Sequence, residues 1–466
     1  MSLLLDTLRA QFGSAQVLTG PDAAPFERDW RGQFPGQARA VLLPRSREEV
    51  QAMLRRTAEF GVDIVPQGGN TGLVGGSTPN DSGRELVLSL KRMNVIHRVN
   101  TGDLSVHAEA GCVLAMLQHE VQDYGALFPL SLASEGSATL GGVLATNAGG
   151  TQVLRWGNAR ELCLGLEVVL ADGTLLSDLD GLRKDHRGLN LRDLFIGSEG
   201  TLGVITAAVM KLVPAPRMRL AAWLTLASLC DVLHLFRSAR YHLGESLSGF
   251  ELMNASVQAL LEPALPVRSA PWAVLLELSS GQEEERLRSQ LEAWLAHELA
   301  MNPQRPRFLD AVIGQSEAQF AQLWALRESI PERQTRAGGN LKHDISLPLD
   351  VMEAFLAAVE PALQAVVPGL RPQVFGHAGD GNLHFNLAPP PGMGLPELRE
   401  RHGEALTRCV FDHVALHGGS FSAEHGIGRL RREELARTLA PERLEWMRRV
   451  KALFDPDNRL NPGRVL

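Results

Sequence analysis

The stretch Pro66-Gln-Gly-Gly-Asn-Thr-Gly-Leu-Val-Gly-Gly-Ser-Thr-Pro79 carries five glycines in fourteen residues. A backbone so dense in glycine can approach a ligand closely and aim several N–H groups into one concavity, which is how proteins hold pyrophosphate. No Gly-Lys-Ser/Thr follows, so the loop is not a P-loop, and no helical pattern succeeds it as a Rossmann fingerprint requires. Turn chemistry alone is a competing explanation of one such loop. Two further runs weaken that competitor: Leu140-Gly-Gly-Val-Leu-Ala-Thr-Asn-Ala-Gly-Gly150 and Gly197-Ser-Glu-Gly-Thr-Leu-Gly203. Together the three point to one large phosphate-bearing cofactor.

Around these loops the chain alternates short strands and helices. Ser46 and Glu49 make a capping box ahead of a helix ending near Gly61, and Ile64-Val65 leads into the first loop. Strand-like runs follow at 85–90, 95–99 and 104–109, then a helix near 114–124. A hairpin is expected over 164–176 around Asp172-Gly173, and a β-rich run from Val204. Pro214-Ala215-Pro216 is the clearest punctuation and marks a domain boundary. Beyond it, strands at 221–226, 272–278 and 341–347 alternate with helices near 284–297 and 351–360. That order suits an α+β sheet with helices on one face.

A second chemistry-bearing stretch is His377-Ala-Gly-Asp-Gly-Asn-Leu-His384. Asp380-Gly381 suits a two-residue type I′ turn, which needs positive φ at both central residues. That turn pairs Gly379 with Asn382, Ala378 with Leu383 and His377 with His384. Opposed residues share a face, so two imidazoles converge as a divalent metal needs, and Asn386 falls on the same face. Glu424, in Ser422-Ala-Glu-His-Gly-Ile-Gly428, is the best candidate for a third ligand, with His425 beside it as an acid/base group. A polar surface loop rich in histidine is the alternative, since this spacing is far less specific than HExxH on a helix.

The 466 residues suffice for two or three domains, and 44% hydrophobic with 21% charged residues is ordinary for a globular protein. A net charge of −7 and few aromatics offer no footprint for nucleic acid. Cys112, Cys163, Cys230 and Cys409 are scattered without a CxxC, the usage of a reducing compartment. No signal peptide, transit peptide or membrane span is evident, so a cytoplasmic location is expected, with peripheral membrane contact still compatible.

The strings PQGGNTGLVGGS, GGVLATNAGG, GLEVVLADG, LFIGSEGTLGVIT, GHAGDGNLHFN, SAEHGIG and the closing LNPGR, running from Pro66 to the C-terminus, resemble one family. It is the FAD-linked D-2-hydroxyacid dehydrogenases of the vanillyl-alcohol-oxidase-type flavoprotein superfamily. The resemblance implies an α+β protein with an FAD-binding domain over 1–215 and an antiparallel-sheet substrate (cap) domain over 216–412. A C-terminal segment, 413–466, would complete the active site and return to the FAD domain. Gly68, Gly69, Asn70, Thr71 and Gly72 would wrap the FAD pyrophosphate. Thr139, Gly142, Asn147, Gly203, Ile205 and Asn461 would contact the rest of the cofactor. No His or Cys lies in 66–79 or 129–160, so dissociable FAD is expected.

By the same resemblance His377, His384 and Glu424 hold a divalent metal, zinc being the expected ion. His425 is the catalytic base, and Arg327, Lys342 and Asn386 bind substrate. The implied reaction is oxidation of a D-2-hydroxy acid to the 2-oxo acid with hydride passing to flavin N5, D-2-hydroxyglutarate being the first candidate. Pro331 departs from the pattern, standing where hydroxyglutarate-oxidising members carry Thr, which puts the identity of the acid in doubt. Oxidation of D-lactate or glycolate on the same scaffold is the nearest rival. A flavin-dependent non-redox transferase and a flavin-free zinc hydrolase are more distant ones. The electron acceptor (a quinone, an electron-transfer flavoprotein, a cytochrome or, less readily, oxygen) and the oligomeric state are not legible.

Overall fold

A computed structural model of the chain describes residues 2–262, 264–265, 267–301 and 303–466. The chain divides into two compact units. One comprises 1–149, 157–215 and 424–466; the other comprises 150–156 and 216–423.

In the first unit β1 (Val17–Leu18), β2 (Ala40–Leu42), β3 (Ile64–Gln67) and β4 (Leu86–Ser89) form a sheet ordered β1-β2-β4-β3. The pairs β2–β4 and β3–β4 are parallel. Helix Arg47–Ala58 joins β2 to β3 and buries Val50, Met53, Leu54 and Thr57, the i, i+3, i+4, i+7 stripe of a half-buried helix. Only half of its expected capping box forms. Ser46 accepts the Glu49 N–H, but the Glu49 carboxylate takes the N–H of Arg45 at 2.6 Å instead of closing the box.

A five-stranded antiparallel sheet follows, built from β5 (Ile96–Asn100), β6 (Ser105–Glu109), β8 (Cys163–Val169), β9 (Leu175–Asp178) and β10 (Val204–Lys211) in the order β5-β6-β10-β8-β9. Short strands β7 (Ala126–Leu127) and β11 (Val213–Pro214) pair separately. The expected hairpin is present as β8–β9, turning at Gly173 with φ +81°. The C-terminal tail is fastened inside this unit by buried charge. Arg464 donates to both carboxylate oxygens of Glu85, and Lys451 reaches Asp455 and the Leu460 and Thr201 carbonyls.

The second unit is organised on one seven-stranded antiparallel sheet. Its strands are β12 (Met218–Leu226), β13 (Leu247–Asn254), β14 (Trp272–Ser280), β15 (Asp310–Ile313), β16 (Asp344–Ser346), β17 (Arg371–His377) and β18 (Asn382–Ala388), in the order β15-β12-β14-β13-β17-β18-β16. The expectation of helices on one face is corrected here: both faces are covered. Leu220, Ala222 and Leu224 point into a large core with helices Leu229–Leu243, Glu284–Met301, Met352–Val366 and Leu395–Leu416. Ala221 and Trp223 point the other way, into a smaller core with helices Ala255–Leu261 and Glu317–Glu328. The reason is visible in β12, where Leu220 to Leu226 are all buried and no apolar/polar alternation exists. The segment 150–156 joins this unit through Arg155, whose guanidinium bonds the Ser279 carbonyl and hydroxyl. Ser420 pairs with Ser346 at the β16 edge and keeps the chain through Ala423 in the same unit.

Candidate functional site

The hairpin β17–β18 carries both candidate metal histidines, but its register differs from the expected one. Phe375, not His377, stands opposite His384. The turn is the four residues Ala378–Gly381, because Gly381 has positive φ (+85°) and Asp380 does not, so a type I′ turn cannot form. Asp380 instead accepts the Asn382 N–H at 3.1 Å in an Asx turn. The slip is by two residues, which preserves the face; a slip of one would have reversed it. The His377 and His384 rings consequently still meet, with centroids 5.7 Å apart in a T-shaped contact.

Both rings turn Nδ1 toward a buried carboxylate. Glu251 on β13, directly across from His377 in the ladder, accepts from its Nδ1 at 2.5 Å. The Asp344 carboxylate lies 3.7 Å from Nδ1 of His384 and accepts from Asn382 at 2.8 Å. Burial would raise the Glu251 carboxyl, but the charges of His377 and Arg327 outweigh it and hold the group down at about 2. This pattern of imidazoles backed by carboxylates suits ligands to a borderline cation such as zinc.

Arg327 is buried at the C-terminal end of helix Glu317–Glu328. Its Nε and Nη2 reach Glu251 Oε2 at 2.8 and 2.7 Å, and its guanidinium lies over Phe375 at 4.8 Å. Asn386 is also buried: its amide donates to Gln334 at 3.1 Å and accepts the His343 N–H at 3.3 Å. Lys342 is exposed, between the Leu341–Leu387 bridge and β16. Pro331 occupies the first turn of helix Ile330–Arg336 and offers no hydroxyl.

Glu424 and His425 open the last piece of the first unit. Ala423 donates its N–H to the Asp344 carbonyl at 3.4 Å, and these two residues follow it within roughly 4 and 8 Å of chain. Their loop is tied down by Glu199, which sits at φ +52° in the Gly197–Gly203 run. Its carboxylate accepts the N–H groups of Ile427 and Gly428 at 2.7 and 2.9 Å. Burial raises the Glu199 carboxyl, against partial relief from those two N–H groups. A Cβ on Gly426 would stand 2.8 Å from the same carboxylate.

The first unit also contains a cavity of about 580 Å³, within the range of small-molecule sites. Gly68, Gly69, Asn70 and Thr139 line it. A Cβ on Gly69 would fall 1.9 Å from the Ser137 carbonyl, and one on Gly68 would fall 2.4 Å from Thr139 Oγ1. That hydroxyl is buried with no partner among the described residues, as expected of a group awaiting a ligand oxygen. The residues present therefore fit a dinucleotide pyrophosphate. The lining does not include Thr71, Gly72, Gly142, Asn147, Gly203, Ile205 or Asn461. Gly142 packs on Thr139, Asn147 accepts the Arg160 N–H, Gly203 is pressed on Val168, and Ile205 is buried in β10. Asn461 donates to the Gly76 and Glu199 carbonyls, joining the first and third glycine loops.

Several contributors escaped the sequence reading. Glu251 is a lone acid in an apolar strand, separated from His377 by 126 residues, and carries no local signal. Lys91 and Cys112 line the cavity without belonging to a motif; burial pushes the Cys112 thiol up to about 11, so it is not a thiolate at neutral pH. Glu199 lies within the third glycine run, where the glycines rather than the acid carry the visible signal.

Residues 38–178 match the family described as FAD binding domain, and residues 215–465 match the family described as FAD linked oxidases, C-terminal domain. The D-2-hydroxyglutarate dehydrogenase of Bos taurus, named as mitochondrial, is 40% identical over 463 residues, covering 97% of this chain and 81% of that protein. A Schizosaccharomyces pombe protein provisionally named as a mitochondrial D-lactate dehydrogenase is 35% identical over 462 residues, covering 96% of this chain and 85% of that one. In fold the chain is similar to p-cresol methylhydroxylase solved with substrate bound, with a TM-score of 0.76, 15% identity and coverage of 100% and 96%. None of the described helices is long and apolar enough to cross a membrane.

Proposed function

Since the chain belongs to the FAD-linked oxidases, with an FAD-binding domain ahead of their C-terminal domain, we propose that it oxidises a D-2-hydroxy acid, D-2-hydroxyglutarate foremost, to the 2-oxo acid. The observation that carries this reading is the pair His377 and His384 on one face of the β17–β18 hairpin, rings 5.7 Å apart and each beside a buried carboxylate. With Glu424 as third ligand, the pair would hold a divalent cation, zinc being one that borderline imidazole donors suit. Bound FAD would accept the hydride from C2, and the bound cation would supply Lewis acidity at the substrate's oxygens.

The chain's own groups do the rest. His425 would take the hydroxyl proton, imidazole being the side chain most often used as a general base. Lys342 offers a flexible point charge to a substrate carboxylate, and Arg327 keeps Nη1 for the same purpose while Nε and Nη2 hold Glu251. Asn386, on the His384 face, would orient the acid through its amide. Gly68, Gly69, Asn70 and Thr139 would cradle the FAD pyrophosphate, with Thr71 and Gly72 completing that loop. Gly142, Asn147, Gly203, Ile205 and Asn461 would shape the walls around the remainder. With no His or Cys in 66–79 or 129–160, FAD would be held without a covalent bond.

A second reading, oxidation of D-lactate, is favoured by Pro331, which offers no hydroxyl for a distal carboxylate, and by the name of the fission-yeast relative. Dye reduction by purified protein with D-2-hydroxyglutarate, D-lactate, D-malate and glycolate separates the two. The highest kcat/KM is expected for D-2-hydroxyglutarate; a preference for D-lactate over both dicarboxylic acids selects the second reading, and no reduction by any of the four rejects both.

A further inference from the structure

The carboxylate of Glu251 has two faces, and each is committed. Oε1 accepts from His377 Nδ1 at 2.5 Å, while Oε2 accepts from Arg327 Nε and Nη2 at 2.8 and 2.7 Å. Glu251 and His377 are directly opposed across β13 and β17, so the ladder itself brings their side chains onto one face. Glu251 is buried, and Arg327 comes from a separate helix to meet it. A carboxylate can only accept, so a hydrogen of His377 must be on Nδ1; in the neutral imidazole that a metal requires, the lone pair is then on Nε2.

We propose that Glu251 is a positioning residue that fixes His377 as the Nδ1–H tautomer and so selects Nε2 as its metal-binding nitrogen, with Arg327 locking the carboxylate from behind. The proposal rests on the reading of His377 as a metal ligand. It gives Arg327 a task besides substrate binding: without the guanidinium, Oε2 is an unpaired buried acceptor and Glu251 is free to rotate away from the imidazole. A carboxylate behind a metal-bound histidine also raises the basicity of the ligand nitrogen. In a merely structural ion pair the tautomer of His377 would be immaterial.

The test uses the full-length, FAD-loaded protein and its Glu251→Gln variant. The amide has the shape of the carboxylate but one acceptor oxygen, so it cannot serve both His377 and Arg327. Zinc affinity is measured by competition with a chromogenic chelator, beside FAD content and the zinc concentration that half-restores activity after chelation. The variant is expected to keep FAD, to bind zinc about 10- to 100-fold more weakly, and to need correspondingly more zinc for half-restoration. A folded, FAD-loaded variant with unchanged zinc affinity overturns the proposal alone. Wild-type protein that takes up no zinc overturns the metal reading, and the proposal with it. Ring nitrogen spectra of 15N-histidine-labelled, metal-free wild type, with His377 assigned through His377→Gln, give a readout that needs no Glu251 variant. The Nδ1–H tautomer is expected, and the Nε2–H tautomer overturns the proposal.

Discussion

The loop that carries His425 is tied down by a buried carboxylate. Glu199 takes the N–H groups of Ile427 and Gly428, so the loop is anchored two and three residues downstream of His425. On the proposed function the chemistry asked of His425 would be a single proton abstraction, a contribution of roughly 10²- to 10⁴-fold in rate. His425→Ala should therefore lower kcat by about that factor while leaving FAD content unchanged. Spectra of the purified variant and its steady-state turnover check both parts, and near-normal turnover would mean another group removes the proton. Much of the proposed site is legible in the chain. His377, His384 and the glycines of 66–79 announce themselves because their chemistry depends on residue type within a short window. Glu251 could not be read, since its meaning arises only when β13 and β17 lie side by side.

At the scale of elements, the same contrast separates the hairpin from the sheet it belongs to. The turn dipeptide Asp380-Gly381 correctly signals a reversal, but dipeptide rules cannot tell a two-residue turn from a four-residue Asx turn when only the glycine adopts positive φ. The two-faced burial of the sheet is legible in the unbroken apolar run of β12, which lacks apolar/polar alternation. One polar group on that sheet has a measurable consequence. Burial pushes the Glu277 carboxyl up, against partial relief from the Ser248 hydroxyl at 2.8 Å and the charge of Arg219. A carboxyl with a raised folded pKa binds its proton more tightly in the native state than in the unfolded one. Its stabilising contribution is thus complete below the unfolded value near 4.3 and is lost as pH rises through the folded value. Glu277→Gln should gain stability relative to wild type as pH rises from the unfolded value of about 4.3 through the raised folded one. Urea midpoints of both proteins across that range decide it, and a constant difference would show that Glu277 does not titrate on folding.

At the scale of the whole molecule, the proposed function would draw on residues of each unit. The first carries the glycine cradle, the buried Thr139 hydroxyl and the His425 loop; the second carries the paired imidazoles and the cations for a carboxylate. Tail and cradle are coupled inside the first unit, because Asn461 bonds both Gly76 and Glu199 and Arg464 neutralises buried Glu85. The measurement that bears most directly on the combined chemistry is rapid mixing of oxidised protein with D-2-hydroxyglutarate in the absence of oxygen, following loss of the flavin's visible absorbance before and after chelation. Bleaching by the D enantiomer, lost on chelation and restored by zinc, is the expected result. Flavin that stays oxidised with every 2-hydroxy acid offered, or that bleaches at the same rate with the metal stripped away, would contradict it.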